Sequence, residues 1–275
     1  LKNEERNNMI NKLEQNKKLW FLTGLLSLAA SVIGVFNQEI YIKVARNDVI
    51  PGMISQDLVT IIISLTLLWI GWEIKKEDKK VQIIAISFIA FLFYGYGIYV
   101  IEQIYNSLYL LYVVIVALSF WTIIYNLINL NQGVLKNIRI SKKIKYLIIA
   151  FSILIPLLFY ILWIGQLLSL MRTGDRIEYM FSIYILDLVF VLPAFLITSY
   201  LIIKENVLGY IFAPILFFKA FTLLFSVGLG GFLKLFYNQT TNFDENIFYL
   251  VLSFIFLFLA LLGIKFLKFS KKINK

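Results

Sequence analysis

The chain has 275 residues, of which 60% are hydrophobic and only 15% charged, with a net charge of +10. Soluble domains are about 45–50% apolar and about 25% charged, so no water-soluble core hides this much apolar side chain, and lipid is the expected solvent. Cysteine and histidine are both absent, which excludes disulfides, thiol nucleophiles, histidine-ligated haem, Cys/His zinc sites and histidine acid–base chemistry.

A membrane-spanning helix needs about 20 mostly apolar residues. Eight segments qualify: 19–36, 56–73, 81–101, 106–128, 146–170, 179–203, 206–233 and 247–268. The expected fold is an all-α integral membrane protein of about eight transmembrane helices. Residues 1–18 are polar and read as a cytoplasmic segment, either an interfacial helix or disordered. The first span begins late, lacks a small-residue cleavage site and is followed by many others, so it is not expected to be a signal peptide. Its Thr23, Ser27, Ser31 and Gly34 share one face, which predicts close packing against a neighbour.

The second span opens on Asp57 and carries Thr60 and Ser64 on the same stripe. The third brings Tyr96, Tyr99, Gln103 and Asn106 along one face, with Glu102 beside them. Only Glu102 to Ser107 separate the third span from the fourth, and we read a break there into two helices. A basic cytoplasmic linker, 129–145, contains Asn131-Gln132-Gly133 and divides a first four-helix half (19–128) from a second (146–268), with a cytoplasmic tail at 269–275. Proline stands inside the fifth, sixth and seventh spans as Pro156, Pro193 and Pro214. Each removes a backbone donor and can kink its helix. The sixth span carries Asp187, and the seventh carries a stripe of Lys219, Thr222, Ser226 and Gly230.

With the N-terminus placed inside, twenty of the 26 basic residues fall in inner segments, five in outer ones, and Lys219 within a span. That bias places both termini in the cytoplasm and the protein in the cell membrane. The basic loops serve topology and offer a second role, binding anionic lipid headgroups. No aromatic-interleaved basic module stands outside the membrane, so nucleic acid is not an expected partner.

Asp57-Leu58-Val59 recurs as Asp187-Leu188-Val189, 130 positions later. Four spans precede the linker and four follow it, so the halves run in the same direction, as a parallel 4+4 repeat would. Along straight helices, Asp187 and Lys219 come to heights differing by about 6 Å on antiparallel neighbours. A lysine stem covers that distance, which predicts an ion pair. Either it forms the charged centre of a substrate or proton site, or it fixes helix packing. Asp57 has no such partner, since Ile89 stands at the position matching Lys219, and it is expected to face water at a cavity mouth.

Gln56-Asp57-Leu58-Val59-Thr60, Leu186-Asp187-Leu188-Val189-Phe190-Val191-Leu192-Pro193, and Gly209-Tyr210 with Ala213-Pro214 and Lys219 give a pattern similar to a family of uncharacterised prokaryotic multi-pass membrane proteins. The resemblance covers roughly half of the chain and implies no activity. Thr173-Gly174-Asp175 is a loop fragment rather than a protease motif, Asn238-Gln239-Thr240 is a glycosylation-type triplet, and no context for a cofactor lysine surrounds Phe218-Lys219-Ala220.

The leading expectation is a transporter-like protein with an outward-open polar site for a small solute or ion. Asp187 and Lys219 form its centre, Thr222 and Ser226 share the stripe of Lys219, and Asp57, Tyr96, Tyr99, Glu102 and Asn106 stand towards its mouth. No cofactor or metal is expected. The alternatives are a non-transporting sensor, immunity or accessory subunit, and a membrane enzyme using neither His nor Cys.

Overall fold

A computed structural model describes residues 9–75, 78–131, 141–176 and 180–267. Among them it contains eight helices long and apolar enough to cross a membrane and no named strand. These are α1 (Leu13–Phe36), α2 (Ile50–Glu73), α3 (Lys79–Ile101), α4 (Tyr109–Ile128), α5 (Lys142–Thr173), α6 (Phe181–Ile203), α7 (Val207–Leu233) and α8 (Phe243–Phe266). A single-turn helix, Glu39–Ile42, lies between α1 and α2, and a 3₁₀ turn, Lys234–Tyr237, extends α7.

Burial is inverted relative to a soluble bundle. Ile62, Trp72, Leu110 and Ile161 are exposed, while Thr23, Ser27, Ser64 and Thr198 are wholly buried. Hydrocarbon accepts the apolar faces and leaves polar side chains to the helix–helix seams, so this is a bundle for lipid. The break between helices α3 and α4 stands as expected: α3 stops at Ile101, and Gln103 turns the backbone with φ 58° before α4 begins.

α3 and α7 lie against each other at the middle. α1 packs on α2 and α4, α3 on α4, α5 on α6, α7 on α8, and α7 also meets α2 and α6. One end of the bundle carries the Ile10–Leu130 bridge and the Lys145–Glu205 ion pair at 2.9 Å. The other, here the far end, is tied by Tyr237 donating to Gln38 (2.7 Å) and Gln239 donating to the Asn47 carbonyl (2.6 Å).

Two expectations change. α1 and α2 both start about six residues earlier than hydropathy suggested, because Lys17 and Lys18 are carried on α1 and Pro51 opens the first turn of α2. Asp57 is therefore two turns inside its helix rather than at its head. Met9 and Ile10 are fully buried, so the end of the polar leading segment is packed. Residues 1–8 of that segment, most of the basic linker (132–140) and the tail from 268 onward lie outside the described residues.

Candidate functional site: a far-end cavity over Asp187, Tyr94 and Lys219

The site begins where α6 loses its regular pitch. Residues Asp187–Val191 form a π-helical turn, with the Leu192 amide donating to the Asp187 carbonyl five residues back. Pro193 follows and has no amide donor to restore the α-helical ladder. The widened turn holds Asp187, which is buried. Such turns are frequent at functional sites.

Three other helices converge on this carboxylate. α3 contributes Tyr94, whose hydroxyl donates to Asp187 Oδ1 at 2.9 Å. α5 contributes Trp163, whose Nε1 donates to Oδ2 at 3.0 Å. α7 contributes Lys219, buried, with Nζ 3.5 Å from the centroid of the Tyr94 ring. Tyr94 thus serves both charges, with its hydroxyl on the carboxylate and its ring face on the ammonium. Gly95 and Gly97 follow Tyr94 on α3. A Cβ on Gly95 would lie 3.3 Å from the Gln56 amide, and the Gln56 side chain donates to the Gly95 carbonyl at 3.0 Å.

The expected Asp187–Lys219 ion pair is absent. Among the described residues no carboxylate stands at ion-pair distance from Lys219, and Tyr94 occupies the gap. Helix heights alone could not reveal this, since the intervening ring comes from a helix in the other half of the chain.

These side chains line a cavity of about 810 Å³. Phe159, Trp163, Phe195, Leu224 and Phe256 wall it deep down, while Asp48, Glu102, Lys234 and Glu245 stand at the far-end mouth. At that mouth, Arg46 bonds Asp48 at 2.7 and 2.8 Å and holds its carboxyl below the usual range. The Glu102 carboxylate accepts from the Ser182 amide at 2.8 Å, joining α3 to the start of α6.

The remaining residues named from sequence divide into two groups. Asp187, Lys219, Tyr99, Glu102 and Ser226 line the cavity. Asp57, Tyr96, Asn106 and Thr222 are not among its lining residues. Thr222 donates to the carbonyls of Phe218 and Lys219 on its own helix. Asn106 bonds Tyr112 at 3.1 Å, and Tyr96 donates to the Ser27 carbonyl at 3.1 Å.

Asp57 corrects the expectation of a wetted carboxylate. It is 1% exposed and accepts from the Tyr41 hydroxyl at 2.6 Å, under a cluster of Tyr41, Tyr96, Tyr99 and Tyr112 rings. Gly34 makes room for it, since a Cβ there would overlap both the Asp57 carboxylate and the Tyr41 hydroxyl. Burial first, then the neighbouring Tyr99 and Asp57, pushes the Tyr41 phenol far above its ordinary range, so it remains a proton donor.

Sequence reasoning missed Tyr94 and Trp163. Tyr94 lies two residues before the Tyr96 stripe, about 200° around α3, so a search along one helical face passes it by. Its signal was the adjacent Gly95, which marks close approach of a neighbouring helix. Trp163 carried no comparable signal. No family model, curated protein or solved structure matches the chain.

Proposed function

We propose that the protein is transporter-like, holding a small solute or ion in a cavity open to the outside of the cell membrane, with Asp187 and Lys219 as its charged centre. The observation that carries this reading is the cavity of about 810 Å³ with an ammonium and a carboxylate on its wall. Ionisable groups at membrane depth are costly and mark substrate or ion routes. Tyr99, Glu102 and Ser226 form part of the wall, and Tyr94 holds the two charges in register. The far end is the outer side, because the basic residues concentrate on the inner segments.

A parallel 4+4 repeat underlies the site. Its support is the pattern of neighbours: α1 with α2 and α5 with α6, α3 with α4 and α7 with α8, α2 with α3 and α6 with α7, and α3 with α7 at the centre. Asp57 and Asp187, 130 positions apart, are both buried and both accept from a tyrosine hydroxyl.

The chain has no cysteine, so an introduced thiol is unique. Ala220→Cys places one beside Lys219 on the cavity wall. A membrane-impermeant methanethiosulfonate should modify it in right-side-out vesicles, and also in inside-out vesicles as the site alternates. Reaction from the outer side alone would refute transport and leave a one-sided sensor or accessory subunit. No reaction from either side would refute the wet site itself.

A further inference from the structure

Resting on the cavity reading above, we propose that the occupant is a single-chain amphiphile with an anionic head, a long-chain acyl carboxylate, whose head pairs with Lys219 and whose chain lies along the aromatic wall.

The unequal satisfaction of the two charges gives the sign of the head. Both oxygens of Asp187 already accept, one from Tyr94 and the other from Trp163. The Lys219 ammonium has the Tyr94 ring face as its direct contact and feels the Asp187 charge only from beyond ion-pair distance, with no carboxylate at that distance among the described residues. An ammonium keeps three donors, and a buried one without an acceptor is costly. The open valence of the site is therefore cationic and calls for an anion.

The walls give the tail. Trp163 and Leu224 line the cavity beside and above Lys219, and Phe159, Phe195 and Phe256 line its inner part, where Phe195 and Phe256 meet Phe217, two residues before the lysine. At about 30 Å³ per water, some 27 waters would be needed to fill it. Such walls hydrate poorly, and an inorganic ion at Lys219 would leave most of them wet. Pockets of about 300–1,000 Å³ with apolar walls and few polar groups suit drug-sized organic ligands.

The route of entry points the same way. α1 and α4 pack together in the first half, whereas their counterparts α5 and α8 touch only marginally. Ile155, Phe159 and Trp163 on α5 and Tyr249 on α8 line the cavity and are only half-buried, and the outer faces of both helices carry exposed Leu158, Ile161, Phe254 and Phe258. This seam gives a chain dissolved in the bilayer a lateral approach to the cavity.

Trp163 is a built-in reporter. The protein in nanodiscs of zwitterionic lipid would be titrated with 9,10-dibromostearate, whose bromines quench indole fluorescence. The expected result is a saturable quenching component that is absent in Trp163→Phe and reversed by unbrominated stearate. Lys219→Met should weaken it about tenfold or more, while Lys219→Arg retains it. The methyl ester of the same acid should give only the unsaturable quenching of a probe dissolved in the bilayer. Equal saturable quenching by the ester, or no change in Lys219→Met that elutes as a monodisperse peak, would overturn the proposal. Displacement by butyrate or inorganic phosphate would overturn the amphiphile and leave a head-group site. Two-sided thiol access with no saturable quenching rejects the acyl ligand alone. Saturable quenching with one-sided access rejects transport alone.

Discussion

At the scale of single residues, the decisive contrast is between two buried aspartates with different company. Asp57 is sealed by Tyr41 and the absence of a side chain at Gly34, and its surroundings read as a packing device. Asp187 is held by Tyr94 and Trp163 on the wall of a cavity, with Lys219 across the same tyrosine. If Lys219 and Asp187 were a structural ion pair, removing the lysine would cost about 3–5 kcal/mol, because an unpaired buried charge would remain. In the observed geometry Asp187 retains both donors when Lys219 goes, and the ammonium itself has no acceptor to lose. Lys219→Met should therefore cost less than about 1 kcal/mol or raise the melting temperature in detergent, as changes at functional polar sites often do. A melting temperature lowered by the equivalent of several kcal/mol would restore the structural pair. The spans, the two aspartates and the lysine were all legible in the sequence, because charge in an apolar run is conspicuous. Tyr94 was not, because one tyrosine among 16 becomes special only when another helix brings Asp187 to its hydroxyl.

At the scale of elements, glycines determine how closely helices approach, and their roles differ by place. Gly230 on α7 crosses α2 at Gly52, where an added Cβ would stand 2.9 Å from the Gly52 Cα. Backbone cannot yield as a side chain can. Ser55 on α2 donates to the Ser226 carbonyl at 2.6 Å in the same crossing, so separating the helices also strains that bond. Gly165 on α5 has nothing within 4 Å of an added Cβ. Gly230→Ala should then destabilise by about 1–3 kcal/mol through overpacking. Gly165→Ala should be neutral or stabilise by up to about 1 kcal/mol, as expected for glycine in a helix interior. Thermal unfolding of the two variants side by side tests this, and equal effects would contradict the tight crossing. The stripe of Lys219, Thr222, Ser226 and Gly230 was visible in sequence as one face. Its division into cavity wall, intrahelical bonding and helix contact was not, because that depends on which neighbour each turn of α7 meets.

At the scale of the molecule, helices α1–α4 and helices α5–α8 form two sets with similar neighbours and differ in what fills them. In the first, α1 and α4 pack together, and Tyr96, Tyr99 and Tyr112 stack in the space above Asp57. In the second, α5 and α8 diverge, and the corresponding region belongs to the cavity. Span order could suggest a doubling, but not that α1 and α4 pack together while α5 and α8 barely touch, because hydropathy treats those helices as equivalent. The position matching Lys219 among the first four helices is Ile89, fully buried on α3 and not among the residues lining the cavity. Ile89→Lys would bury an ammonium there. Its cost should be at least about 3 kcal/mol, a large share of the roughly 5–15 kcal/mol that holds a typical domain folded. The expected result is aggregation or a sharply lowered melting temperature in detergent, with Ile89→Leu close to wild type. The same side chain that the second half accommodates at Lys219 should thus be rejected at Ile89. If both positions tolerate lysine equally, burial at Ile89 does not exclude a charge, and the asymmetry that sets Lys219 but not Ile89 beside the cavity is without consequence.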